Sequence, residues 1–80
     1  MKRRYTECFN RSFRRASPRI QKAFDKQADL LLKDLRHPSL RAKKFDESAD
    51  VWQARVTASW RMYFAIEDET YVFLDIVPHP

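Results

Sequence analysis

Two hydrophobic periods divide this chain, and the change from one to the other limits what it can fold into. Ile20, Phe24, Ala28, Leu31 and Leu35 recur at the spacing of one helix face, with Leu32 widening the stripe, so a long amphipathic helix is predicted there. From residue 51 apolar and polar residues alternate instead. That pattern predicts strands over 51–57, 60–66 and 70–77, joined by Ala58-Ser59 and by Glu67-Asp68-Glu69, lengths that suit consecutive antiparallel hairpins. Helices followed by a meander give an α+β chain of two layers. Its 80 residues are expected to make a single domain, 1–80, near the small end of what folds alone.

The first residues are less regular. Arg4 to Phe9 contains β-formers and reads as a first strand, after which Asn10 is expected to cap a short helix over 11–15. Ser17-Pro18 is the signature of an N-cap followed by proline at the first helical position, and His37-Pro38 should stop the long helix. Ser39 to Phe45 then forms a basic connection, extended at Lys43 to Phe45. The chain has no glycine, so its turns rely on Asn, Asp, Ser, Pro or left-handed geometry at other residues. Cys8, the one cysteine, excludes an internal disulfide and reads as a buried strand thiol. His37 and His79 are too few to suggest a metal site, and neither metal nor cofactor is expected. No apolar run approaches the roughly 18 residues of a membrane helix, and Lys2-Arg3-Arg4 is not followed by an apolar leader segment. A cytoplasmic protein without membrane partners is expected.

Strand alternation sorts the C-terminal side chains onto two faces, provided no bulge intervenes. Trp52, Ala54 and Val56, then Trp60, Met62, Phe64 and Ile66, then Val72, Leu74 and Ile76 would meet the helices. The opposite face would carry Gln53, Arg55 and Thr57, then Arg61, Tyr63 and Ala65, then Tyr71, Phe73 and Asp75, with His79 joining if the alternation continues. A sheet with helices on one side leaves its other face available for function.

Charge singles out two residues on that open face. Residues 1–44 hold 14 Lys/Arg against 4 Asp/Glu, whereas residues 45–80 hold 2 against 7, and those two are Arg55 and Arg61. A guanidinium holds two phosphate oxygens at once and keeps its charge, so the pair suits a polyanion, RNA above all. Cleavage of RNA by its own 2′-hydroxyl needs a group to take or polarise that proton, cations for the pentavalent phosphate and an acid for the leaving 5′-oxygen. Lys43 or Lys44, the two arginines and His79 supply such a set, and Tyr63, Tyr71 or Phe73 can stack on a splayed base. Plainer readings stand beside these. Arg55 and Arg61 can pair with Asp75 or Glu47, the aromatics can simply cover the sheet, His79 can be a frayed end, and the lysines a solvated loop.

In order and spacing, the Cys-Phe strand end, Ser-Pro-Arg-Ile-Gln-Lys-Ala-Phe, His-Pro-Ser-Leu-Arg-Ala-Lys-Lys-Phe, Trp-Gln-Ala-Arg-Val, Trp-Arg-Met-Tyr-Phe and Ile-Val-Pro-His resemble the RelE/ParE superfamily of bacterial toxin-antitoxin toxins over nearly the whole chain. The resemblance implies two N-terminal helices on one face of a twisted, mainly antiparallel sheet of four to five strands. Members similar to RelE and YoeB cut messenger RNA in the A site of the 30S ribosomal subunit without a metal. Carried over, Arg61 matches the central phosphate-binding arginine, Arg55 a second basic position, His79 the terminal acid, and Lys43 or Lys44 the residue acting on the 2′-hydroxyl. Lys44, Tyr63, Arg41 and Phe73 are the implied RNA contacts. The implied partners are a cognate antitoxin, messenger RNA, and operator DNA only through the antitoxin. The chain departs from the family at Ala58-Ser59, where a glycine is usual, which puts the placing of Arg61 in question. ParE-like relatives share the fold but inhibit DNA gyrase, and a non-catalytic member that only binds its antitoxin is the remaining alternative.

Overall fold

Thr6 decides how the N-terminal residues fold in the computed structural model, which describes residues 1–79. Its backbone is extended and its hydroxyl accepts the Phe9 N–H at 3.1 Å, capping α1 (Glu7–Arg15). The preceding strand, β1 (Lys2–Tyr5), therefore ends well before the Phe9 boundary expected from the sequence, and Thr6 takes the role expected of Asn10. Cys8 consequently lies exposed on a helix instead of buried in a strand, while Phe9 enters the core.

Ser17 caps α2 (Pro18–Lys33) as its Ser-Pro signature predicts. The helix stops short of His37-Pro38 because Asp34 offers its backbone another set of bonds. The Asp34 carboxylate accepts the Arg36 N–H at 2.9 Å and its carbonyl accepts the His37 N–H at 3.0 Å. A 3-10 turn (Pro38–Leu40) then leads into β2 (Lys43–Asp46), β3 (Val51–Thr57), β4 (Trp60–Glu67) and β5 (Thr70–Pro78). The sheet runs β1-β5-β4-β3-β2, with β1 parallel to β5 and the other neighbours antiparallel. This is the expected α+β fold, with five strands and both helices feeding one core. Phe9, Phe24, Leu31, Met62, Phe64, Phe73 and Ile76 are fully buried there. No helix of the described residues is long and apolar enough to cross a membrane.

Two bulges change the face assignment. On β3, Arg55 pairs with Arg61 but Thr57 pairs with Trp60, so Thr57, expected on the open face, stands opposite a residue packed against the core. The other bulge lies on β5. Tyr63 pairs with Asp75 but Phe64 pairs with Phe73, so Leu74 is an extra residue on β5. Parity is reversed on the N-terminal side of Leu74 and kept on the C-terminal side. Phe73, expected on the open face, turns into the core at 0% exposure, its ring 5.1 Å from Phe24 and 5.4 Å from Tyr5. Tyr71 follows it inward, and Val72 pairs with Ala65 on the other face. Asp75 and His79 keep their expected side.

Without glycine, left-handed backbone falls to Arg41 (φ 46°), Asp50 (φ 54°) and Asp68 (φ 54°). Aspartate tolerates that region at turns, and Asp50 and Asp68 both close hairpins. The Ala58-Ser59 turn is made without positive φ, and the Thr57 hydroxyl accepts the Ser59 N–H at 3.2 Å.

The face reversal predicts unequal costs for two aromatics. Phe73→Ala should lower unfolding free energy by about 3–5 kcal/mol, and Tyr63→Ala by about 1 kcal/mol, the scale of one hydrogen bond. Urea unfolding followed by fluorescence measures both. Equal losses would place the two rings in equivalent surroundings and contradict the bulge on β5.

Candidate functional site

A buried glutamine on α2 draws the site together. Gln27 Nε2 donates to the Arg55 carbonyl at 3.0 Å and to the Ser39 carbonyl at 3.3 Å, tying the helix to β3 and to the 3-10 turn at once. Arg41 follows that turn as its left-handed cap, a conformation costing about 1–2 kcal/mol at a residue with a Cβ. The cost is met where the backbone must turn Arg41 toward β3.

The result is a cleft of about 360 Å³ lined by Arg41, Lys43, Gln53, Ala54, Arg55, Arg61 and His79. Five of the residues picked out from the sequence meet here, and no carboxylate lines the cleft. Arg55 and Arg61 are direct partners across β3 and β4. Among the described residues neither forms an ion pair, so the salt bridges to Asp75 or Glu47 that the sequence allowed are not made. Arg41 beside it, its own loss of water and Arg61 all pull the Arg55 pKa down from its ordinary value. The Arg55 Nε is buried and has no hydrogen-bond partner among the described residues.

Arg61 is held differently. Its Nη1 donates to the carbonyls of Thr57 at 2.9 Å, Trp60 at 3.0 Å and Ala58 at 3.2 Å, filling the space under the glycine-free turn. Nη2 and Nε make no such bonds within the described residues and remain for a ligand. The departure at Ala58-Ser59 thus does not remove Arg61 from the cleft; it converts one nitrogen into a clamp that fixes the rest. His79 is anchored rather than frayed, since its N–H donates to the Ser59 carbonyl at 2.6 Å.

Lys44 and Phe73 do not join this group. Lys44 pairs in register with Trp52 on the helix-facing side, lies 5.4 Å from the Trp52 ring centre and forms an ion pair with Asp50. Lys43, one residue earlier and so on the opposite face, pairs with Gln53 and lines the cleft. Strand parity therefore selects Lys43 over Lys44, while the bulge on β5 removes Phe73. Tyr63 does lie on the open face, where its hydroxyl accepts from Gln53 Nε2 at 3.0 Å. Two residues of this face were given no functional role from the sequence. Gln53 is almost wholly buried between Lys43 and Tyr63 in the register. Phe45 stands 60% exposed, its ring centre 5.0 Å from that of Tyr63. The alternation of β2 placed Phe45 with Lys43, and this was the available signal.

The architecture is shared with solved structures. A chain of the toxin-antitoxin complex RelBE2 from Mycobacterium tuberculosis is 30% identical, with 99% of this chain and 96% of that one covered at a TM-score of 0.74. A YoeB/ParE toxin from Agrobacterium tumefaciens matches over 100% of both chains at 14% identity and a TM-score of 0.81. YafQ from E. coli strain BL21(DE3) matches at 17% identity over 96% of this chain and 91% of its own, with a TM-score of 0.80. No family model matches the chain, and no curated protein sequence does.

Clustered cations without acids predict stabilisation by multivalent anions. Phosphate at ten times its dissociation constant should stabilise the fold by about 1.4 kcal/mol, or roughly 5–10 °C in Tm. Arg55→Gln should be at least as stable without added anion, because repulsion is relieved, and should lose most of the phosphate response. Thermal unfolding at matched ionic strength tests this. An unchanged phosphate response in Arg55→Gln would place anion binding elsewhere.

Proposed function

Because the chain belongs to the RelE/YoeB-like toxins of toxin-antitoxin systems, we propose that it is a metal-independent, ribosome-dependent endoribonuclease acting on messenger RNA. The observation that carries this reading is the cleft in which Arg41, Lys43, Arg55, Arg61 and His79 converge without a carboxylate. A cluster of like charges is disfavoured unless a polyanion occupies it, and RNA presents the required phosphates.

The chemistry follows from the placement. The 2′-hydroxyl gives its proton to solvent water, and the Lys43 ammonium stabilises the negative charge that develops on the 2′-oxygen. That oxygen attacks phosphorus, and the bond to the 5′-oxygen breaks, giving a cyclic phosphate and a 5′-hydroxyl. Arg55 and the unclamped nitrogens of Arg61 hold the non-bridging oxygens, with more charge to stabilise in the pentavalent state than before it. His79 gives its proton to the leaving 5′-oxygen. Arg41 holds a flanking phosphate, and the clamp on Nη1 keeps the Arg61 guanidinium oriented before RNA arrives.

In this reading the cytoplasm is the site of action, a cognate antitoxin neutralises the toxin by covering the cation cleft, and operator DNA is reached only through that partner. Three of the matched structures are complexes of a toxin with its antitoxin or of RelE with RelB, which supports the antitoxin assignment.

Purified protein added to a translation reaction should produce codon-phased cuts in the transcript, and the same transcript without ribosomes should stay intact. Arg61→Ala should reduce the single-turnover cutting rate by about 10²–10³-fold, the effect of losing one preorganised oxyanion donor. Its fold must be checked by circular dichroism, since Nη1 also closes the turn. Intact RNA with loss of gyrase supercoiling would contradict the nuclease reading.

A further inference from the structure

Phe45 is exposed for no reason that folding supplies. At 60% exposure it is the most open large apolar side chain of the described residues, and it takes no part in the core. It stands at an irregularity of β2, between Lys44, paired with Trp52, and Asp46, paired with Val51. Its ring nevertheless reaches over β3 to Tyr63 on β4, meeting it at 70° with centres 5.0 Å apart, an edge-to-face geometry that orients both rings. Gln53 fixes Tyr63 from below through the bond to its hydroxyl.

This aromatic pair borders the cation cleft. Phe45 is two residues from Lys43 on β2 and Tyr63 two from Arg61 on β4, steps of about 6.6 Å along each strand. An aromatic surface next to a phosphate site matches a nucleotide, whose base stacks while its phosphate is held. The nearby acids do not oppose a neutral base. The Asp75 carboxylate, across from Tyr63, accepts the Ile76 N–H at 2.8 Å. Asp46 turns toward Ser48 and Ala49, whose hydrogen bonds lower its pKa.

We infer that Phe45 and Tyr63 form a stacking platform for one unpaired nucleobase of RNA, beside the phosphate held by Arg55 and Arg61. The inference rests on the RNA reading of the cleft and extends it, because it adds a contact to a base that the cations do not make. Stacking accepts any base, so Phe45 contributes affinity and positioning without selecting a sequence by hydrogen bonds.

The probe is a short single-stranded RNA, 2′-O-methylated against cleavage and carrying 2-aminopurine, whose emission falls when the base stacks. The protein should bind it and quench it. Phe45→Ala should weaken binding by roughly 5- to 150-fold and remove the quenching at saturation, with an unchanged salt dependence because the phosphate contacts remain. Phe45→Tyr should restore both. Arg55→Gln should show the reverse, a shallower salt dependence with quenching retained at saturation. Circular dichroism of Phe45→Ala should match the parent, as expected for an exposed ring. If Phe45→Ala binds and quenches like the parent, the platform is overturned while the cleft reading stands. The same conclusion follows if it loses only antitoxin affinity, which would assign the ring to a protein partner. Failure of the unsubstituted protein to bind the RNA would overturn the platform and the cleft reading together.

Discussion

The Thr6 hydroxyl accepts the Phe9 N–H and lies 3.0 Å and 3.2 Å from the carbonyls of Phe73 and Leu74, so one side chain joins the start of α1 to the bulge in β5. The Thr6 N–H donates to the same Phe73 carbonyl. Each bond contributes on the order of 1 kcal/mol, but their joint effect is geometric. They hold an extra residue in β5, and that residue sends Phe73 inward against Phe9 and Phe24 while Asp75 and His79 stay outward. Core and open face are thus set by the same contact.

A second polar contact organises the cleft from beneath. Gln27 reaches from α2 to the carbonyls of Arg55 and Ser39, fixing the strand that carries one arginine against the turn that delivers another. The three guanidinium-bearing residues are then close enough for Arg41 and Arg61 to depress the Arg55 pKa. Folding alone gains nothing from this. Left-handed backbone at Arg41, an unpaired Arg55 Nε and an exposed Phe45 are all locally unfavourable, and all three lie on or beside the same open face. Local costs gathered at one place are what a binding site leaves in an otherwise consistent fold.

The long helix, the three-strand meander and the convergence of Arg55, Arg61 and His79 were legible in the sequence because period and charge carry them directly. The first helix was misplaced because Thr6 and Asn10 are both acceptable caps, and only the carbonyls of a strand far along the chain favour Thr6. Phe73 was misassigned for a related reason: a bulge leaves the alternation Tyr71, Phe73, Asp75 unchanged in the sequence while reversing two of its three members in space. Lys43 and Lys44 could not be separated until the register of β2 on β3 was known. Phe45 was passed over because one aromatic after two lysines looks like the end of a strand, and its contact with Tyr63 spans an intervening strand.

The central claim, that the Arg55 and Arg61 guanidinium groups hold a phosphate of RNA, is most directly tested by following arginine Nε–H signals in ¹H–¹⁵N spectra while a non-cleavable RNA is added. The account predicts that Arg55 Nε–H moves furthest, followed by Arg61, at concentrations that leave Arg14 and Arg19 on the helices unmoved. Uniform shifts across the arginines, or a silent Arg55, would contradict it.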